Sequence, residues 1–124
     1  MVLGSPEPTK LPGSGIALSI RAYARVVERT QKAPWRADLT SYFYTLKDLE
    51  GREIVAYHWH PESRSPITFP HLHLGAGAQI GREEIQKSHL PTGHVEIEDV
   101  LLMAIRELGV RPQRDDWEEI LGPQ

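Results

Sequence analysis

Two short stretches of this chain alternate between apolar side chains and histidine with period 2. Val55, Tyr57 and Trp59 alternate with His58 and His60, and Leu72 and Leu74 alternate with His71 and His73. Successive side chains of a β-strand point to opposite faces, so each stretch reads as a strand with one greasy face and one imidazole face. A helix would scatter the same residues around its axis. Ten residues separate His60 from the next His-x-His pair, so the two strands are expected to form an antiparallel pair.

Opposed residues in an antiparallel pair have a constant sum of residue numbers and share a face. An odd sum such as 131 sets His60 against His71 and His58 against His73, with all four imidazoles on one side. It also gathers Val55, Tyr57, Trp59, Leu72 and Leu74 on the other side, where a core can cover them. An even sum leaves one apolar set in water, and a one-residue slip flips every side chain, so the odd register is expected. Ile54 and Ala56 then share the histidine face.

Around these strands the chain reads as one domain. Residues 1–15, rich in Pro, Gly and Ser, are expected to be a flexible arm, and residues 16–124 a single domain. Residues 18–28 read as a strand by alternation, although Ile16, Ile20, Tyr23 and Val27 also fit a helix face. Residues 38–47 read as a further strand, turned at Asp48-Leu-Glu-Gly51 into residues 53–60. Pro70 lacks a ladder donor, so the strand over residues 67–74 should lie at an edge or begin at the proline. That open edge also leaves room for a homodimer.

The period then changes to that of a helix. Ile97, Val100, Leu101, Ala104, Ile105 and Leu108 form one stripe. Glu96, Glu98 and Asp99 crowd its positive end, and Gly109 is suited to its C′ position. A short helix is expected after Asp115, burying Trp117, Ile120 and Leu121. Trp59 reads as core. Trp35, after Pro34, reads as loop packing and as the one tryptophan placed to stack on a base. The expected fold class is α+β: an antiparallel sheet of about four strands followed by one long and one short helix packed on one face.

Composition narrows the chemistry. The chain has no cysteine, which excludes disulfides, thiolate metal sites and cysteine nucleophiles. It has no apolar run of membrane-spanning length, and its first residues lack the charged and apolar regions of a secretory signal. A soluble cytoplasmic protein without a membrane partner is the reading. The net charge of −3 is concentrated at the end, where residues 95–124 carry three basic and eight acidic side chains. No basic stripe marks a general nucleic-acid binder.

All six histidines lie between positions 58 and 94. Imidazole titrates near neutral pH and is the commonest metal ligand, so the cluster supports two chemistries. One is acid–base cleavage of RNA through its 2′-hydroxyl, with His71 and His73 as the pair and His58 and His60 in support. Arg64, Arg82 or Lys87 would then bind the phosphate, and no cofactor is needed. The other is a non-catalytic metal- or partner-binding module in which His58, His60, His71 and His73 hold a divalent metal such as zinc. Further ligands would come from His89, His94, Glu62 or Glu83.

The Gly75–Gly81 segment lacks the lysine and the context of a phosphate loop. The Thr92-Gly93 amides precede a helix and invite an anion, although a plain turn is the simpler reading.

The run Tyr57-His-Trp-His60, a polar spacer and Pro70-His-Leu-His73 resembles the histidine-bearing strands of the TumE-like small toxins of bacterial toxin–antitoxin pairs. The resemblance spans residues 38–75. It implies a compact α+β ribonuclease acting on RNA, a cognate antitoxin as partner, and roles for His71 and His73. Leu72 stands where that pattern has a basic residue. The stretch Leu90 to Val100 resembles a recurrent ending of uncharacterised bacterial proteins, which implies no activity.

Overall fold

A computed structural model describes residues 1–28 and 35–122, with Trp35 and Arg36 as backbone only. Its centre is one antiparallel sheet. Strand β1 (Val2–Gly4) and strand β2 (Thr9–Leu11) both pair with β3 (Ile16–Glu28). The sheet continues through β4 (Trp35–Asp48), β5 (Glu53–Trp59), β6 (His71–Leu74) and β7 (Leu90–Pro91). Helices are few and short: α1 (Glu83–Gln86), α2 (Ile97–Glu107) and α3 (Trp117–Leu121).

This architecture corrects the expected fold class. A seven-stranded sheet replaces the expected four strands followed by a long helix, and α2 has only 11 residues. Much of the difference lies in the first 15 residues. The stretch expected to be a free arm places Val2–Gly4 against Tyr23–Arg21 and Thr9–Leu11 against Leu18–Ile16. The outer edge of β3 presents a row of unpaired backbone groups, and short strands of almost any composition can satisfy them. The backbone of Arg111 also donates to the Pro12 carbonyl at 2.9 Å, tying this segment to the far end of the chain.

The central hairpin follows from its turn. Asp48 Oδ1 accepts the N–H groups of Glu50 and Arg52 at 3.0 and 2.9 Å, while Gly51 takes φ +83°. A side chain that mimics a backbone turn, followed by a left-handed glycine, closes a short β-connection. The turn pairs Lys47 with Glu53, and a bulge between Leu46 and Lys47 then shifts the register by one, setting Leu46 opposite Val55 and Phe43 opposite His58. Pro70 lies just before β6, as a residue without a ladder donor should, and its carbonyl accepts the Thr92 N–H at 2.9 Å.

One sheet face carries the core. Ile16, Leu18, Ala22, Tyr42, Tyr44, Leu46 and Val55 are buried together with Val100 of α2. Trp59, Leu72 and Leu74 pack against them, partly buried. The Tyr42 hydroxyl accepts the Val95 N–H at 3.0 Å, which satisfies a polar atom inside the core. The start of α2 is closed by Glu96 N–H donating to Asp99 Oδ2 at 2.9 Å. Gly109 follows the helix at φ +77°.

The second expected helix differs in detail: its N-cap is Asp116, Trp117 and Leu121 are half-buried, and Ile120 is exposed. The helix is only five residues long, and none of its side chains is fully buried. Trp35, expected in a loop, opens β4, and its side chain lies outside the described residues. Among the described residues no helix is long and apolar enough to cross a membrane.

Candidate metal centre

The other sheet face carries the histidines. Strands β5 and β6 pair with partner numbers summing to 129, so the sum is odd as the apolar pattern requires. The register sits one pair away from 131: His58 opposes His71, and Ala56 opposes His73. Ala56 is fully buried, and its methyl leaves the space above it to the rings of its neighbours. The β6 strand ends at Gly75, where any Cβ would run into the Glu53 carbonyl, and the Gly75 N–H donates to Ile54 O at 3.1 Å.

Five imidazoles converge. The His58 ring centre lies 5.5 Å from His71 and 4.8 Å from His73, and His60 lies 5.2 Å from His71. His89 comes in from the segment before β7, 4.7 Å from His73 and 5.1 Å from His71. Their nitrogens form two overlapping triads, His58–His60–His71 and His71–His73–His89, each with ligand atoms within 4.8 Å of one another. Three nitrogens about 2.1 Å from a zinc ion stand about 3.4 Å apart, so modest ring rotations close either triad on a metal.

His71 is the pivot. It is 1% exposed, and its Nδ1 lies 2.9 Å from the Phe69 carbonyl oxygen. A carbonyl only accepts, so Nδ1 carries the proton and donates. The Nε2 lone pair therefore points into the cluster, where it is buried and has no hydrogen-bond partner. An orphaned buried acceptor costs on the order of 1–3 kcal/mol, and such atoms are rare enough to need a reason. A backbone carbonyl holding one nitrogen while the other faces inward is how metal-ligating imidazoles are oriented. Since His71 offers a single lone pair, one ion at a time fits the two triads.

Electrostatics work against charge on two of the rings. Burial pushes His58 down to about 4, aided by repulsion from His73, His71, His60 and His89. Burial also lowers His73, with His71 and His89 acting in the same direction against the Ser88 backbone and the Glu53 carboxylate. Both are thus neutral at pH 7, the form that binds metal. Aromatic rings wall the site: Phe43 stacks on His60 at 5.7 Å, and Phe69 meets His71 edge-on at 5.8 Å. Ser63 Oγ lies 2.9 Å from His60 Nδ1, leaving Nε2 as that ring's other nitrogen.

The remaining expected residues go elsewhere. His94 sits on the core side, edge-on to Tyr42 and Trp59 and 3.6 Å from a Glu96 carboxylate oxygen. Glu83 pairs with Lys87 at 2.8 Å and Arg82 with Glu84 at 3.3 Å, all at the surface. Arg64 and Glu62 are exposed in the loop before β6. Of the Thr92 and Gly93 amides expected to hold an anion, that of Thr92 is in use, since it donates to the Pro70 carbonyl. Phe43, Ser63 and Phe69 escaped the sequence reading; the Asp48–Gly51 turn, read for register, would have placed Phe43 opposite Tyr57, and only the bulge between Leu46 and Lys47 brings it opposite His58.

The chain matches no protein-family model, no curated protein and no solved structure. The chemistry of the site itself therefore carries its functional reading.

Proposed function

We propose that the histidine face binds one divalent transition-metal ion, zinc in the first place, and that this ion is the working centre of the protein. The observation that carries the reading is His71: a buried imidazole whose outer nitrogen is held by a backbone carbonyl and whose inner nitrogen has no partner among four other imidazoles. Imidazole-only sites suit zinc, copper and nickel. Of the two triads, His58–His60–His71 is the more enclosed, because His89 is exposed. Three protein ligands leave a fourth position open for water or a ligand, as in zinc sites that do chemistry rather than brace a fold. Such an ion would supply a water that ionises near pH 7, with the neutral His73 ring beside the triad as a base.

Metal-free cleavage of RNA makes a different demand on these rings. It needs one imidazole charged and one neutral near pH 7. The low proton affinity of His58 and His73 works against charging either, and Arg82 and Lys87 are occupied by glutamates. That favours the metal over the toxin-like ribonuclease.

Mass spectrometry of the purified protein and zinc titration of the chelator-treated chain test the reading. One zinc per chain is expected, lost on His71→Ala and kept on His94→Ala. Absence of zinc, copper and nickel binding, or binding untouched by His71→Ala, overturns it. Cleavage of RNA in excess chelator, abolished by His71→Ala plus His73→Ala, would install the ribonuclease in its place.

A further inference from the structure

Beside the histidine cluster, on the same sheet face, lies a cavity of about 470 Å³ lined by Ser19, Arg21, Phe43, Thr45, Lys47 and His58, among others. Ser5, Pro6 and Pro8, from the segment joining β1 to β2, close its side beyond β3. The register orders the lining. Arg21 pairs with Phe43, Phe43 with His58 and His58 with His71, so these four residues form one row across four strands. The next row is Ser19, Thr45, Ala56 and His73. Neighbouring strands stand about 4.8 Å apart, so Arg21 and His58 are separated by about 10 Å, the length of a small organic molecule.

The chemistry of the walls is one-sided. Arg21 and Lys47 bring two positive charges, neither in an ion pair among the described residues, and the lining contains no carboxylate. Ser19, Thr45 and Tyr23 add hydroxyls, while Phe43 with Pro6 and Pro8 adds flat apolar surface. A guanidinium fork matches a carboxylate, and an aromatic floor between fork and imidazole suits a planar body.

We propose that this cavity binds a small planar organic carboxylate, its charge on Arg21 and Lys47, its flat body over Phe43 and its far end at the metal beside His58. The far end rests on the metal reading; the carboxylate end stands on Arg21, Lys47 and Phe43 alone.

Benzoate and 4-hydroxybenzoate, whose far-end oxygen can meet a metal, are the probes, with neutral benzamide and inorganic phosphate as controls, each titrated into metal-free and zinc-treated protein and followed by amide NMR shifts. Benzoate is expected to shift amides around Arg21, Phe43 and Lys47 in both forms, at least ten-fold more tightly than benzamide or phosphate, and 4-hydroxybenzoate is expected to bind several-fold more tightly with zinc than without it. Arg21→Gln plus Lys47→Gln should weaken benzoate at least ten-fold while leaving zinc stoichiometry intact, a readout that also reports folding. Equal binding of benzamide overturns the carboxylate assignment, and equal binding of phosphate overturns the planar body. Indifference to the double substitution overturns the site. An unchanged 4-hydroxybenzoate affinity in protein shown to hold zinc overturns the placement of the far end against the metal. If zinc does not bind at all, the metal reading fails by itself, and the metal-free titration still decides the carboxylate pocket.

Discussion

The two faces of one sheet, built from alternate residues of the same strands, are buried on different terms. On the core face Tyr42, Tyr44 and Leu46 are at most 2% exposed, and the Tyr42 hydroxyl has found the Val95 amide. On the histidine face His71 is just as deeply buried at 1%, yet its Nε2 has no partner. The first arrangement is what stability requires, with apolar area removed from water and polar atoms satisfied. The second lowers stability in the free chain and is retained where a ligand supplies the missing partner. Burial alone does not separate a core from a candidate site; a buried ring nitrogen left unpaired among four other imidazoles does.

Substitutions on each face should change different observables. Leu46→Ala on the core face should cost about 3 kcal/mol of unfolding free energy in denaturant melts. It should leave zinc affinity within a few-fold, and a large loss of zinc would show that the faces are not independent.

On the histidine face the two triads can be separated. His58→Ala plus His60→Ala should weaken zinc by about 100-fold, as expected for loss of ligands and their orientation. His73→Ala plus His89→Ala should weaken it less than ten-fold. The reverse ranking would move the ion to the second triad.

A smaller effect follows from pH in the metal-free protein. The folded value of His58, about 4, lies below the ordinary 6.5, so between these values the unfolded chain holds a proton that the folded chain refuses. Stability should be complete above pH 6.5 and fall as pH drops towards 4. Because His58 is only half-buried, solvent screening reduces the loss to about 1–2 kcal/mol. His58→Gln should flatten the slope of stability against pH. Smallest of all, His94→Ala should change zinc affinity less than two-fold by calorimetry, because that ring lies on the core side.

Much of the site was legible because face is a matter of parity. Alternation in residues 55–60 and 71–74 put the imidazoles together and the apolar side chains opposite. The step from 131 to 129 was not legible, since a two-residue slip keeps every side chain on its face. Close approach of Gly75 to Glu53 and its bond to Ile54 accompany the observed register. Strands β1 and β2 were illegible for another reason: three residues carry no period, and they are strands because the β3 edge pairs with them. Which cations stand beside the cluster was not legible from distance along the chain. Arg64, Arg82 and Lys87 are near the histidines in sequence, whereas Arg21 and Lys47 stand beside them across the sheet.

By itself, then, the sequence determined strands with two unlike faces, an odd register between two of them and a helix to cover the apolar side, because each follows from local periodicity and the need to bury apolar surface. Only the tertiary structure decided that His89 joins the cluster and His94 leaves it, that the first residues complete the sheet, and that Arg21 and Lys47 open a charged cavity next to His58. Those outcomes depend on which backbone edges remain unpaired and which strands become neighbours, and both are settled by long-range pairing.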